Sequence, residues 1–226
     1  MRADVAKVQA DFDRIALLPH DGTDHNELYH DRLLKHVPPG CGRALEVGCG
    51  TGAFARRLAR RCEHVLALDL SANMIRVARE RSTDLPNIEF EQADVTAYDL
   101  GQERFDCIAS IATLHHVPLN PLLPRLARAL RPGGVLLILD LRRSIGLYDR
   151  LLDCAAVPAA AVARLIKTRR LSPPAPVRQA WNEHGRTDEY LTTSQVRAAC
   201  ERYLPGAAVR EHLFWRYSVV WCKPKQ

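Results

Sequence analysis

The sequence predicts an α/β protein whose sheet is mostly parallel and covered by helices on both faces. Apolar segments typical of buried strands alternate with segments of helical periodicity, and strands that alternate with helices usually pair in parallel. The predicted strands are 44–47, 64–69, 88–93, 105–111 and 135–141. Two more, 207–213 and 216–222, are separated only by Phe214 and Trp215. They form a hairpin, so the final strand runs antiparallel to its neighbour.

The segments between the strands have helical spacing. Helices are predicted at 4–18, 26–37, 53–61, 71–81, 119–130 and 194–203. The first two precede the sheet, and we expect them to pack over one of its edges. Residues 131–134, Arg-Pro-Gly-Gly, break the chain before the fifth strand.

The alternation of strands and helices lapses after the fifth strand. Helical pieces at 148–170 are followed by Ser172-Pro-Pro-Ala-Pro176, which predicts an extended, non-helical linker. An insertion at the carboxyl edge of a parallel sheet is well placed to cover a ligand. We therefore expect an N-terminal helical cap at 1–40, a core made of 41–141 and 194–226, and a helical lid insertion at 142–193.

Composition favours a single soluble, cytoplasmic domain. The chain has 226 residues, 47% of them hydrophobic, enough for one substantial core. No run approaches the roughly 20 apolar residues of a membrane helix, and the N-terminal stretch is amphipathic, unlike a signal peptide. The seven cysteines contain no Cys-x-x-Cys pair and are expected to be reduced thiols. The net charge is +6, but no aromatic residues are interleaved with the basic clusters to stack on bases. This disfavours nucleic acid as a partner. A monomer and a homodimer are both compatible with the sequence.

Three glycines follow the first predicted strand in the stretch Leu45-Glu-Val-Gly-Cys-Gly-Thr-Gly52. Glycine has no Cβ, so a ligand can approach the backbone closely at such a turn. We expect a helix to begin near Ala53 and to offer free N–H groups and a positive dipole end to that ligand. The glycine turn is therefore the predicted centre of a binding site.

Acidic residues end the next two strands. Asp69 follows Gly50 by nineteen residues, close to the spacing at which a carboxylate accepts the hydroxyl groups of a ribose. Asp94 follows the third strand. Gly48-x-Gly50-x-x-Ala53 also satisfies the relaxed dinucleotide pattern, so these residues alone indicate an adenosine-containing cofactor without separating NAD from other molecules.

Four further features carry a family resemblance. With Glu46, Gly52, the pair Asp94-Val95 and the closing hairpin, the sequence resembles the class I S-adenosylmethionine-dependent methyltransferases. The resemblance covers residues 43–141 motif by motif and the hairpin more loosely. It implies a Rossmann-like three-layer sandwich with a seven-stranded sheet, in which the antiparallel last strand is inserted beside the fifth. It also implies S-adenosyl-L-methionine as cofactor and S-adenosyl-L-homocysteine as product.

The resemblance implies a set of cofactor-binding residues. Glu46 and the glycine turn would border the amino-acid part, Asp69 would hold the ribose, and Asp94 would bond the adenine amine. Val95 would add an apolar contact, and 110–114 would line the methionine side. The full set is Glu46, Gly48, Cys49, Gly50, Gly52, Asp69, Leu70, Met74, Asp94, Val95, Ser110 and Ile111.

Two segments resemble the small-molecule, methyltransferase type 11-like branch, which includes quinone and sterol methyltransferases: Leu114-His-His116 and Leu130-Arg-Pro-Gly-Gly134. The Asn-Pro-Pro-Tyr signature of enzymes that methylate bases or glutamine is absent after the fourth strand. A clear acid set for the magnesium of catechol methyltransferases is absent too. The histidines at 20, 25 and 30 recur every five residues, which does not bring ligands together on one helix face, so no metal site is predicted.

Histidines after the fourth strand are the catalytic candidates. His116 comes first and His115 second, because an imidazole titrates near neutral pH and suits a general base. Tyr29 is the third candidate. Acceptor contacts are predicted for His25, Tyr29, His116, Trp181 and Tyr190, with His184 and the hairpin tip as further wall residues. For each of these side chains, ordinary packing is the competing interpretation.

The leading hypothesis is an S-adenosylmethionine-dependent methyltransferase that modifies a small molecule, natural-product intermediates included, at oxygen, nitrogen or carbon. A peptide acceptor is one alternative. An NAD-linked oxidoreductase is a second, disfavoured because the sequence has no Tyr-x-x-x-Lys proton relay. A non-catalytic cofactor-binding protein is the third.

Overall fold

The computed structural model describes residues 4–19, 25–145, 172–186 and 188–225, and the separate positions 162, 164–166, 168 and 169. The strands are β1 Cys41–Val47, β2 Cys62–Asp69, β3 Ile88–Gln92, β4 Phe105–Ile111, β5 Leu130–Leu141, β6 Ala208–His212 and β7 Arg216–Cys222. The helices are α1 Val5–Ile15, α2 Glu27–Leu34, α3 Ala55–Leu58, α4 Ala72–Glu80, α5 Leu119–Ala129, α6 Ala175–His184 and α7 Thr193–Tyr203, with a short 3-10 helix at Leu114–His116.

The strands form one seven-stranded sheet in the order β3-β2-β1-β4-β5-β7-β6. Strands β1 to β5 pair in parallel, and β7 is antiparallel to both of its neighbours. After β3 the chain returns to the other side of β1, which leaves a crevice at the carboxyl ends of β1 and β4. The predicted fold class is confirmed, including the antiparallel last strand inserted beside the fifth.

Helices cover both faces of the sheet because successive strand residues point to opposite sides. Ile108 of β4 belongs to a hydrophobic cluster with α5 and α7, whereas its neighbours Cys107 and Ala109 belong to a second cluster with α2, α3 and α4. The three-layer arrangement follows from this alternation.

Two element boundaries differ from the prediction near glycine and proline. Strand β5 begins at Leu130, ahead of the predicted position 135, because Gly133 N–H donates to the Lys223 carbonyl at 2.8 Å and Gly134 accepts from Lys223 N–H at 2.8 Å. The backbone of 131–134 is therefore paired instead of forming a loop. Helix α3 is shorter than the predicted 53–61, since residues 51–54 and 59–61 form turns.

The prediction of an extended linker over 172–176 is wrong at the C-terminal end of that segment. Helix α6 starts at Ala175, with Pro174 as its N-cap and Pro176 in its first turn. Proline is tolerated there because the first N–H groups of a helix have no intrahelical partner. The predicted helical pieces at 148–170 lie mostly outside the described residues, although 162, 164–166 and 168 are helical.

Helix α1 does not pack over a sheet edge as expected. Its Ile15 packs with Met74 of α4 and Ala180 of α6. Asp13 of α1 accepts hydrogen bonds from the Ser71 hydroxyl at 2.6 Å and from Asn73 N–H at 3.1 Å. Helix α1 therefore bridges α4 and α6 above the carboxyl ends of the strands.

The described cysteines, at positions 41, 49, 62, 107, 200 and 222, are free thiols, and Cys154 lies outside the described part of the chain. Within the described ranges, every helix is too short or too polar to cross a lipid bilayer.

Candidate active site

The main cavity lies at the carboxyl ends of β1, β2 and β4, where parallel α/β sheets bind their ligands. Its volume is about 350 Å³, in the range of small-molecule sites. The glycine turn after β1 and the acids after β2 and β3 line one part. Another part is lined by side chains that we call the α1/α6 wall: Val8, Phe12, Ile15, Val177 and Trp181.

The glycine turn is held tightly between β1 and β2. The N–H groups of Gly48 and Cys49 both donate to the Leu68 carbonyl, at 2.8 and 2.9 Å. Gly48 has a φ of +71°, and a Cβ at this position would lie 2.1 Å from Thr113 Oγ1. Only glycine fits here. The predicted helix dipole near Ala53 contributes little, because α3 begins at Ala55 and has only four residues.

Glu46 carries a buried carboxyl group beside the cavity. It is 2% exposed, and its Oε2 has no hydrogen-bond partner among the described residues. Burial, with the Asp69 carboxylate nearby, raises the pKa of Glu46 well above its usual value. A cationic group bound in the cavity would restore the charged form and occupy the free oxygen.

The Asp69 carboxylate joins the glycine turn to the start of α4. Its Oδ2 accepts the Gly50 N–H at 2.7 Å, and its Oδ1 accepts the Ser71 N–H at 2.9 Å. Burial raises the pKa of Asp69, and these two hydrogen bonds oppose that rise. Each carboxylate oxygen has a further lone pair, so the group can still accept ligand hydroxyls.

Asp94 lies on the cavity wall beyond the end of β3. Its Oδ1 accepts the Thr96 N–H at 2.8 Å, which shapes the turn at 94–97. Val95 is buried and lines the cavity beside it. An acid next to an apolar side chain suits a flat ring that carries an amino group.

The structure brings most of the predicted cofactor residues together on the cavity wall: Glu46, Gly48, Cys49, Gly50, Asp69, Leu70, Met74, Asp94, Val95 and Ile111. Gly52 and Ser110 are not part of the lining. A Cβ at Gly52 would lie 3.1 Å from the Phe90 ring, and the Ser110 hydroxyl donates to the Val47 carbonyl at 3.0 Å. Gly52 and Ser110 therefore contact neighbouring protein groups and not the cavity.

The predicted acceptor residues divide into two groups. His116 and Trp181 line the cavity, and Trp181 is 48% exposed. Outside the lining, Tyr29 donates its hydroxyl to the Leu213 carbonyl at 2.8 Å, and His25 stacks on Phe214 with ring centroids 4.8 Å apart. Tyr190 also lies outside it, with its ring centroid 5.2 Å from that of His115.

His115 and His116 have opposite electrostatic surroundings. His115 Nδ1 lies 2.6 Å from Asp140 Oδ1. Burial opposes the charged form of His115, but the Asp140 carboxylate outweighs it and the pKa is raised. Burial, with His115 and His184 as neighbours, lowers the pKa of His116 to about 2. His116 Nε2 is buried and has no hydrogen-bond partner among the described residues.

Sequence reasoning missed Phe12 and Asp140, and it included Thr113 only as part of the stretch 110–114. Asp140 follows the same rule as Asp69, an acid near the carboxyl end of a buried strand, and that signal was present. The contact of Thr113 with Gly48 was not foreseen, and Phe12 reaches the cavity through the placement of α1. Both depend on tertiary packing that no local pattern encodes.

Known proteins resemble this chain in both sequence and fold. The methyltransferase-domain family model matches residues 44–134. An uncharacterized methyltransferase of Mycobacterium tuberculosis is 32% identical over 202 residues, which are 87% of this chain and 95% of that protein. A ubiquinone biosynthesis O-methyltransferase of Xylella fastidiosa is 34% identical over 146 residues, 62% of this chain and 57% of that protein.

Among solved structures, the N-methyltransferase NodS of Bradyrhizobium japonicum in complex with S-adenosyl-L-homocysteine has a TM-score of 0.65. It is 16% identical, and the alignment covers 96% of this chain and 99% of that one. At this identity the likeness shows the fold.

The sheet order and the cavity at its switch point define a Rossmann-like ligand-binding protein. Because the mycobacterial relative exceeds 30% identity across most of both chains, this chain belongs to the class I S-adenosylmethionine-dependent methyltransferases. S-adenosyl-L-methionine is its cofactor, which decides against NAD. The cavity fits this molecule: an unpartnered carboxylate oxygen of Glu46 suits a cationic amino-acid group, and the space around the Gly50 Cα is open.

Replacement of Gly48 by alanine tests the fit at the turn. We expect Gly48→Ala to weaken S-adenosylhomocysteine binding at least about tenfold in calorimetric titration, because the new Cβ displaces Thr113 from the cavity wall. Gly40→Ala is the matched control: its φ is +68°, and no atom lies within 4 Å of the added Cβ. Equal affinity of the two variants would contradict this account of Gly48.

Asp69→Ala removes the acceptor of the Gly50 and Ser71 N–H groups. We expect the affinity for S-adenosylhomocysteine to fall by about 1.5–3 kcal/mol, or about 10- to 150-fold, since a charged hydrogen-bond acceptor is lost. Asp84→Ala, at an exposed position, should bind as the wild type does. Unchanged affinity in Asp69→Ala would mean that the ribose is placed wrongly.

Proposed function

We propose that this methyltransferase acts on a small-molecule acceptor, which binds in the part of the main cavity formed by the α1/α6 wall and His116. The observation that carries the proposal is one continuous cavity, lined at one part by the glycine turn and its acids and at another by apolar side chains. A single cavity of this kind can hold a methyl donor and an acceptor in line and exclude water from both.

On the cofactor side, the proposed roles follow the positions of the wall residues. Glu46 would hold the amino group of the methionine part, Asp69 the ribose, and Asp94 the adenine amine. Val95 and Met74 would supply apolar contact, and Ile111 would border the methionine chain. Support comes from the shared lining and from the free oxygen of Glu46.

On the acceptor side, aromatic and aliphatic groups dominate. The Phe12 ring lies 5.5 Å from the His116 ring and 6.3 Å from the Trp181 ring, measured between centroids. Val177 adds an aliphatic surface. Such a wall favours a ligand with a flat or aliphatic body, because burial of its apolar surface supplies most of the binding energy.

Contacts between α1 and α6 favour a small acceptor over a peptide. Arg14 Nη1 lies 2.6 Å from Glu183 Oε2, and His184 Nδ1 lies 3.2 Å from Asp11 Oδ2. These two pairs connect α1 to α6 beside the cavity. A peptide chain that entered between the helices would have to break them. The ubiquinone biosynthesis O-methyltransferase among the relatives also bears a name that implies a small-molecule pathway.

Methyl transfer needs little covalent chemistry from the protein. When bound, S-adenosylmethionine supplies an electrophilic methyl group on a sulfonium, so the protein's task is to orient the acceptor and keep water out. Of the predicted catalytic residues, His116 has a place on the cavity wall, whereas His115 and Tyr29 do not line it. The catalytic roles of His116, His115 and Tyr29 stay predictions. The acceptor roles of His25 and Tyr190 stay predictions too.

Binding and turnover experiments test the proposal. Calorimetric titration should show micromolar affinity for S-adenosylmethionine or S-adenosylhomocysteine and none for NAD. Release of S-adenosylhomocysteine should then depend on a small acceptor, screened in parallel panels of phenols, quinones, amines and short peptides. Turnover confined to peptides would overturn the assignment of the acceptor class.

Trp181→Ala tests the acceptor wall. We expect the KM for the acceptor to rise about tenfold, because apolar contact worth about 1.4 kcal/mol is lost, while the Kd of S-adenosylhomocysteine stays within about twofold. Arg178→Ala, at an exposed position on the same helix, is the control and should change neither constant. An unchanged KM in Trp181→Ala would place the acceptor elsewhere.

The division into a cap at 1–40, a core at 41–141 with 194–226 and a lid at 142–193 also stays a prediction. So do the cytoplasmic location and the choice between monomer and homodimer.

A further inference from the structure

Three imidazoles and one carboxylate converge beside the main cavity. His115 and His116 follow β4, His184 ends α6, and Asp188 follows that helix. We call these four residues the histidine cluster. Their side chains are buried, between 4% and 7% exposed. One ligand atom from each of His115, His116 and Asp188 lies within 4.8 Å of the other two.

The Asp188 carboxylate lies too far from His116 and His184 for hydrogen bonds. Asp188 Oδ1 lies 3.6 Å from His116 Nδ1, and Asp188 Oδ2 lies 3.6 Å from His184 Nε2. A normal N–H···O bond is about 2.9 Å between heavy atoms. Two ligand atoms that each lie about 2.1 Å from one tetrahedral ion are about 3.4 Å apart. The 3.6 Å between Asp188 Oδ1 and His116 Nδ1 is therefore close to the separation of two ligands of one ion.

Further groups orient the cluster from outside. Asp140 Oδ1 binds His115 Nδ1 at 2.6 Å, and the His115 backbone N–H donates to Asp140 Oδ2 at 2.9 Å. In the neutral form of His115, this pairing places the proton on Nδ1 and leaves the lone pair on Nε2. Metal-binding histidines have the same arrangement, in which a carboxylate fixes the tautomer and the ring orientation.

His184 and Asp188 also have neighbours that orient their side chains. Asp11 Oδ2 lies 3.2 Å from His184 Nδ1, and Tyr190 donates its hydroxyl to Asp188 Oδ2 at 2.9 Å. His115 and His184 are thus held by carboxylates from β5 and α1, and Asp188 is held by a tyrosine two residues further along the chain. Such preorganisation is what a metal site needs and a simple packing contact does not.

We propose that His115, His116 and Asp188 bind a divalent transition-metal ion of the Zn²⁺ type. Two imidazoles and a carboxylate are ligands that Zn²⁺ accepts, and three protein ligands leave a position open for His184 or for an exogenous ligand. His116 also lines the main cavity, so the ion would lie at the acceptor side. This site goes beyond the proposed function, because metal binding requires neither cofactor nor acceptor.

Metal titration of the untagged protein tests the site. After dialysis against a chelator, the wild type should bind one Zn²⁺ per chain, and one Co²⁺ should give the visible absorption of a four-coordinate ion. Asp188→Asn and His116→Asn should each weaken binding by more than about 100-fold. Asp140→Asn, which changes a supporting group of His115 and removes no ligand, should weaken it by about 10- to 100-fold and keep the stoichiometry.

His64→Asn is the matched control, because His64 is exposed on β2 and lies outside the cluster. It should bind metal as the wild type does. Circular dichroism and thermal unfolding of every variant separate lost ligands from lost folding, and the wild-type titration stands whatever the variants do. No stoichiometric uptake by the wild type, or equal uptake by the cluster variants and His64→Asn, would overturn the proposal.

A parallel titration with S-adenosylhomocysteine separates this proposal from the proposed function. Wild-type protein that binds S-adenosylhomocysteine and methylates a small acceptor, yet takes up no Zn²⁺ or Co²⁺, refutes the metal site alone. Protein that binds one metal ion but methylates only peptides refutes the small-molecule acceptor alone.

Discussion

The binding site depends on the hydrogen bonds that the Asp69 carboxylate accepts from Gly50 and Ser71. They connect the turn after β1 to the start of α4, two segments that no covalent bond brings together. Burial would favour a neutral carboxyl group, and backbone donors at both oxygens favour the charged one. With this link in place, the glycine turn, the end of β2 and the first turn of α4 form one rigid wall.

Helix α1 extends this wall to the other half of the cavity. Its Asp13 accepts a hydrogen bond from the Ser71 hydroxyl near the glycine turn, and its Asp11 lies beside His184 near the α1/α6 wall. One short amphipathic helix therefore contacts both halves of the site.

The sheet and the gathering of the glycine turn with Asp69 and Asp94 on one cavity wall were predictable, because their signals are local. Apolar runs, the spacing from Gly50 to Asp69 and the hairpin at 214–215 are each visible within about twenty residues of sequence. At the α1/α6 wall, the sequence indicated His116 and Trp181 but not Phe12. These side chains come from separate segments and meet only after the sheet has formed, and no periodicity predicts that Asp188 lies near His116. Two predicted element boundaries were wrong. At Leu130 a tertiary hydrogen bond overrides the usual effect of glycine, and at Ala175 a helix cap overrides that of proline.

Strand β7 has a consequence for the way the chain is made. It pairs with β5 across the whole insertion, so that Leu136 lies beside Trp221. Strands β1 to β5 emerge from the ribosome first and can assemble, but the buried backbone of β5 remains an open edge until β7 has been synthesised. During that interval the most apolar strand of the protein is exposed to other nascent chains. The demand for chaperones should therefore concentrate on the time between translation of β5 and translation of β7.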